Sequence, residues 1–357
     1  MKSFNIGNIE IKTPIIQGGM GVGISLSGLA AAVANQGGVG VISTVGVGQI
    51  DNKPYTNFRK SNIEALTEEI KNARSLSNGV IGVNIMVALS NFADMVETSI
   101  KEGVDIIFSG AGLPLDLPKY LKPDSTTKLV PIVSSGRATN ILCSKWMSNY
   151  NYLPDAIVIE GPKAGGHLGF KVEQIEDDAF QLEELLPEIL LVVRSFEEKY
   201  NKAIPVIVGG GIYTGADIYK FISMGAAGVQ MGTRFVATHE CDASDTFKQA
   251  YLDAKEEDIV IIKSPVGLPG RAILTPFLKD TLVGKTKPVH CSFHCIVTCN
   301  FKTTPYCIAD ALLQAQIGNL DDGFAFSGSN AYRINEIVSV EELFNELKAE
   351  YQEAEGK

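Results

Sequence analysis

The chain has 357 residues, 45% hydrophobic and 20% charged, with a formal net charge of −10, enough apolar material for one large core in the size range of a single α/β barrel with insertions. An acidic surplus excludes the clustered Lys and Arg that phosphate backbones or anionic lipid require, so neither nucleic acid nor a membrane is an expected partner. The opening MKSFNIGNIEIKTP lacks the apolar core of a secretory signal, and no run approaches the roughly 20 apolar residues of a bilayer span. The expected location is therefore the cytoplasm and the expected partner a small-molecule substrate, with a homodimer as the candidate assembly.

In chain order, short Val- and Ile-rich runs alternate with amphipathic stretches. Strands are predicted at Pro14–Gln17, Val39–Ser43, Val80–Ile85, Val104–Phe108, Leu129–Val133, Ala156–Ile159, Pro205–Val208 and Gly228–Met231. Between them helices are predicted at Leu26–Gln36, Asn62–Leu76, Phe92–Glu102, Leu115–Leu121, Ala138–Asn149, Leu182–Tyr200 and Ala216–Met224, with a last one after Arg234. Continuous apolar strands alternating with helices mark parallel βα units buried on both faces, and eight of them close a (β/α)8 TIM barrel, an α/β fold. The barrel is assigned to residues 1–242. The pattern stops near Ala243, and residues 243–357 read as a C-terminal helical extension packing on the barrel. It carries a helix at Asp245–Glu256, a Cys-bearing helical region and a final helix at Val340–Tyr351.

Glycines mark the strand ends. Gly18-Gly19-Met20-Gly21 follows the first strand and Gly82-Val83-Asn84 lies in the third. Gly209-Gly210-Gly211 follows the seventh and Met231-Gly232-Thr233 closes the eighth. Barrel active sites sit at this rim, and the loops after strands seven and eight frequently hold phosphate. There glycine lets main-chain N–H groups approach an anion, and the Thr233 hydroxyl adds a donor.

The segment Ile204-Pro-Val-Ile-Val-Gly-Gly-Gly-Ile-Tyr-Thr-Gly, continued by Met224-Gly-Ala-Ala-Gly-Val-Gln-Met-Gly-Thr-Arg-Phe, looks like the phosphate half of an FMN-binding barrel. With Ile16-Gln-Gly-Gly-Met-Gly, Gly82-Val-Asn84 and Ala164-Gly-Gly-His-Leu-Gly169, it resembles the nitronate monooxygenase family, which includes FMN-dependent enoyl-acyl-carrier-protein reductases and other flavin ene-reductases. The resemblance implies an FMN-dependent oxidoreductase, acting as a nitronate monooxygenase or as an NAD(P)H-dependent ene-reductase. It sets Gly18, Gly19 and Met20 along the flavin ring, Asn84 in a hydrogen bond to it, and Gly165 and Gly166 at its border. Gly209, Gly210, Gly211, Gly232 and Thr233 fall at the phosphate, and Gln230 near the ribityl chain.

The same resemblance puts His167 on the substrate side of the flavin as the catalytic residue. An imidazole with an ordinary near-neutral pKa suits proton exchange with a nitronate or an enoyl intermediate. His239, His290 and His294 have no comparable setting. Ser327, Asn330 and Tyr332, in a late glycine-containing segment, are candidates for lining the substrate pocket or for a plain loop.

Cys291, Cys295, Cys299 and Cys307 carry the spacing C-x3-C-x3-C-x7-C. Four thiolates so close together suit an iron–sulfur cluster, or zinc with His290 or His294. Spacings of four equally suit one packed stripe of a helix. Two barrel alternatives are weaker. An IMP-dehydrogenase-like enzyme needs a nucleophilic Cys on a loop, whereas Cys143 lies in a helical pattern. A Rossmann dehydrogenase needs G-x-G-x-x-G and a later ribose-binding acid, and Gly19-Met-Gly-Val-Gly23 does not complete the motif. A flavin-binding module without turnover is the non-enzymatic alternative.

Overall fold

A computed structural model of the chain describes residues 1–50, 57–287, 289, 291 and 293–357. Two short strands, β1 (Phe4–Ile6) and β2 (Ile9–Ile11), pair as an antiparallel hairpin. The repeating part then runs β3 (Ile15–Gln17), α1 (Ser27–Asn35), β4 (Val39–Ser43), α2 (Phe58–Leu76), β5 (Val80–Met86), α3 (Phe92–Lys101) and β6 (Ile106–Gly110). It continues through β7 (Lys128–Val133), α4 (Gly136–Tyr150), β8 (Ile157–Glu160), β9 (Gly166–His167), α5 (Leu182–Tyr200), β10 (Val206–Gly209), α6 (Gly215–Ser223), β11 (Gly228–Met231) and α7 (Thr233–Val236). The strands β3 to β8, β10 and β11 close a parallel barrel.

The eight barrel strands fall within two residues of their predicted limits. The helix expected at Leu115–Leu121 is instead a single 3-10 turn at Leu117–Tyr120. Pro114 and Pro118 remove main-chain donors there and prevent a longer helix. Inside the barrel, Ile16, Val41, Phe108, Val130, Val158 and Ile207 form a dry plug, and Ile6 and Ile11 of the hairpin cap it from below. With this end filled by apolar side chains, the opposite rim is left open for a site.

The last segment contains α8 (Asp245–Asp253), β12 (Ile259–Lys263), β13 (Pro269–Ile273), α9 (Pro276–Leu282), α10 (Ile308–Gln316) and α11 (Val340–Glu355). The sequence reading expected a helical extension, but the segment also contains strands. The runs IVIIK and PGRAI form a hairpin that pairs antiparallel with β9 and makes a three-stranded sheet over the rim. Helix α11 lies across α6, where Gly215 permits contact: a Cβ there would meet the Leu347 carbonyl oxygen at 2.2 Å.

Candidate functional site

A cavity of about 560 Å³ opens at the C-terminal ends of the barrel strands. Gly18, Gly19 and Met20 line it after β3, Asn84 from β5, and Gly165, Gly166 and His167 after β8. Gly210 and Gly211 line it after β10, and Gln230, Gly232 and Thr233 at the end of β11. These residues, scattered along the sequence, meet because each ends a parallel strand of one barrel. Gly209 is the exception: it is buried as the last residue of β10, does not line the cavity, and packs on Gln230, whose Cβ lies 3.2 Å from where its own would sit.

The cavity wall is shaped by missing side chains. Gly210 and Gly211 have φ of +100° and +87°, the left-handed region that favours glycine. Among the hydrogen bonds of the described residues none uses the N–H of Gly210, Gly211 or Gly232. The Thr233 hydroxyl accepts from the N–H of Gly328 at 3.1 Å, which leaves its own proton to donate. At Gly19 a Cβ would come within 2.2 Å of the Asn84 Cβ.

Three buried polar atoms without protein partners belong to residues that line this cavity: Ser43 Oγ, Asn91 Oδ1 and Ser327 Oγ. Buried polar atoms are nearly always paired, so their concentration here fits a polar ligand. Glu160, which the sequence reading missed, ends β8 and lines the same wall with no hydrogen bond or ion pair among the described residues. Burial pushes its carboxyl up to about 7. Its signal was a lone acid at the end of an otherwise apolar strand.

His167 sits on β9, paired with Gly270 of β13. Its Nε2 lies 2.7 Å from Ser264 Oγ, and its ring meets Phe326 edge-on at 5.0 Å between centroids. Burial lowers its pKa to about 4, so the ring is neutral at pH 7 instead of titrating near it. Arg271, also on β13, is buried and donates to the carbonyls of Pro162 and Ala164 at 2.6 and 2.7 Å. It clamps the loop that delivers His167.

The late segment stitches the rim together. Ser327 N–H donates to the Arg271 carbonyl, Ser329 N–H to the Lys163 carbonyl, and the Asn330 side chain to the Gly211 carbonyl at 2.8 Å. Ser327 lines the cavity; Asn330 and Tyr332 do not. Asn330 instead holds the Gly211 loop. Gly165 owes its identity to this segment as well, since a Cβ there would meet the Ser327 carbonyl carbon at 2.6 Å.

The cysteine stripe is not helical. Cys291, Cys295 and Cys299 lie in turns and irregular chain, and Cys307 N-caps α10. Cys295 and Cys299 pack against Ile262, Phe277 and Tyr306 of the extension. Among the described residues no group of three or more His, Cys, Asp or Glu could hold a metal ion; His290 lies outside them. Burial pushes the Cys295 thiol up to about 12. Cys143 is buried in α4 away from the cavity, its thiol likewise raised to about 12, which removes the nucleophile an IMP-dehydrogenase-like reading needs. The closed barrel removes the Rossmann reading. No helix among the described residues is long and apolar enough to cross a membrane.

Residues 2–350 match the family model described as nitronate monooxygenase. A probable nitronate monooxygenase of Staphylococcus aureus (strain MSSA476) is 29% identical over 309 residues, covering 76% of this chain and 78% of that one. A (3aS,4S,5R,7aS)-5-hydroxy-7a-methyl-1-oxo-octahydro-1H-indene-4-carboxyl-CoA dehydrogenase of Mycobacterium tuberculosis is 27% identical over 271 residues, covering 76% and 66%. Among solved structures, FabK from Thermotoga maritima superposes with a TM-score of 0.73 at 27% identity, covering 97% of this chain and 94% of that one. A nitroalkane oxidase from Streptomyces ansochromogenes shares the fold with a TM-score of 0.74 at 21% identity, covering 97% of each.

Proposed function

The chain belongs to the nitronate monooxygenase family and is an oxidoreductase, and on that premise we propose that it uses FMN to oxidise a nitronate or, with NAD(P)H as electron donor, to reduce an activated C=C bond. One observation carries the reading: a single rim cavity joins the glycine-shaped wall, the unpartnered Ser43, Asn91 and Ser327, and the imidazole of His167. When bound, FMN supplies two-electron chemistry between a donor and an acceptor. Its phosphate would be held by the free N–H groups of Gly210, Gly211 and Gly232 and the Thr233 hydroxyl. Gly19, Met20 and Asn84 would bear on the ring, with Gln230 toward the ribityl chain and Gly165 and Gly166 at the border. Neutral His167 would meet substrate as a hydrogen-bonding group without a charge of its own.

The reductase reading gains support from the side of the cavity built by the extension. Ile296, Ile308, Leu312, Phe324 and Phe326, joined by Leu89 from the barrel loop after β5, make it apolar, a surface suited to an acyl chain. Anaerobic stopped-flow separates the two activities. Rapid flavin bleaching by NADH or NADPH supports the reductase, and bleaching by a nitronate alone supports the monooxygenase. FMN-loaded, folded protein that responds to neither contradicts both. His167→Asn should keep its flavin while turnover falls by about 10²-fold or more; unchanged turnover would favour a module that merely binds flavin.

A further inference from the structure

The hydroxyl of Ser264 faces His167 from a different part of the chain, in the turn after β12, and the two side chains have no role together in the family resemblance described above. Ser264 is 3% exposed. Its Oγ accepts from the Val266 N–H at 3.4 Å and lies 2.7 Å from His167 Nε2. Among the described residues no other acceptor is within reach of its proton. If Nε2 carried the ring hydrogen and donated to Ser264, the serine proton would be a buried donor with nowhere to go, which costs about 1–3 kcal/mol in general. If Ser264 donates, both groups are satisfied.

Burial keeps the ring uncharged, so only one nitrogen bears hydrogen. The other nitrogen, Nδ1, makes no hydrogen bond to a described residue, while the ring lines the cavity. The backbone fixes this arrangement twice over. Gly270 pairs with His167 across the sheet, and the Leu168 N–H donates to the Pro269 carbonyl at 2.9 Å.

We propose that Ser264 is a positioning residue that donates to His167 Nε2 and so selects the tautomer with hydrogen on Nδ1, which presents the imidazole to substrate as a neutral hydrogen-bond donor and not as a base. The acceptor this arrangement would recognise is an oxygen bearing partial negative charge, such as that of a nitro group or an acyl carbonyl. The idea rests on the reading of His167 as facing substrate. It extends that reading by giving the histidine a fixed polarity and by giving the C-terminal hairpin a part in catalysis.

Two-bond ¹H–¹⁵N correlation spectra of ¹⁵N-histidine-labelled holoenzyme test it, with the His167 signal identified by its disappearance in His167→Asn. The expected result is a neutral ring protonated at Nδ1 in the wild type, loss of that single-tautomer pattern in Ser264→Ala, and its return in Ser264→Thr. Turnover in Ser264→Ala should fall about tenfold in kcat with KM little changed, as for an interaction made mainly in the transition state. A wild-type ring protonated at Nε2 overturns the proposal, as does a pattern unaltered by Ser264→Ala. Should Ser264→Ala fold poorly, the wild-type spectrum alone decides. The tautomer is read without turnover, so a wrong tautomer leaves the flavin assignment standing, and a failed flavin assay leaves the tautomer result standing.

Discussion

The barrel rim and the segment after Ala243 build one cavity by opposite means. The rim does it with main chain: Gly19, Gly210, Gly211 and Gly232 contribute by lacking side chains, and their positions are set by strand register. The later segment does it with side chains, through Ser264, Arg271, Phe326 and Asn330, each reaching back to a rim loop. A wall of backbone has no room for an added carbon at Gly19, where a Cβ would stand 2.2 Å from the Asn84 Cβ, but it makes few demands on side-chain chemistry. A wall of side chains can be retuned residue by residue, which under the proposed function suits the side that meets substrate.

Substitutions can break that contrast, beginning with the severest. Gly19→Val adds three carbons against Asn84, where the Cβ alone would stand 2.2 Å from the Asn84 Cβ. Flavin retention on a desalting column should fall at least about 100-fold, the scale of several lost ligand contacts. Full yellow colour in this variant would show the rim to be more compliant than a backbone wall allows. Arg271→Met leaves the Pro162 and Ala164 carbonyls buried without their donor. Unfolding should cost about 2–4 kcal/mol less than in the wild type, with turnover falling more than flavin binding, as measured by denaturant titration and steady-state kinetics.

Glu160→Gln sharpens the contrast, because among the described residues that line the cavity Glu160 is the one acid and its carboxyl has no partner. Its folded pKa of about 7 lies above the ordinary 4.5. The stability it contributes is therefore present below 4.5 and lost as pH rises through 7. Flavin-free wild type should lose on the order of 1–2 kcal/mol relative to Glu160→Gln across that interval, since water in the cavity softens the penalty. His167 runs the other way. With a folded pKa of about 4 against 6.5, its contribution is present above 6.5 and lost as pH falls through 4. Melting temperatures of the wild type, Glu160→Gln and His167→Asn from pH 4 to 8 resolve both slopes, and parallel curves would contradict the burial of these groups. Cys143→Ala, far from both walls, should cost about 1 kcal/mol of stability and leave turnover unchanged.

How much of this was legible in the sequence follows the same division. Strand ends announce themselves, because a buried parallel strand is a continuous apolar run and a tight turn beside a ligand needs glycine. Val39–Ser43 and Gly228–Met231 were therefore placed to the residue, and the rim glycines were found except that Gly209 faces Gln230 and not the cavity. The hairpin of β12 and β13 was missed although Ile259–Lys263 is a run of apolar residues before a turn at Pro265 and Gly267. No repeat unit called attention to it, and its partner strand β9 is only Gly166–His167. Ser264, Arg271 and Phe326 act through contacts across about a hundred residues of chain or more to the Gly-Gly-His loop, and one sequence carries no signal for such pairs. The cysteine spacing misled for a related reason: a separation of four has helical meaning only where the chain is helical, and the turns at Val297 and Thr298 break it.

The central claim is that the rim cavity holds FMN beside His167. It is tested most directly by heating well-folded protein, prepared with flavin supplied, and identifying what is released into the supernatant. The account predicts FMN in amounts stoichiometric with the chain from the wild type and a large deficit from Gly19→Val. Supernatant without FMN, or equal release from both proteins, would contradict it.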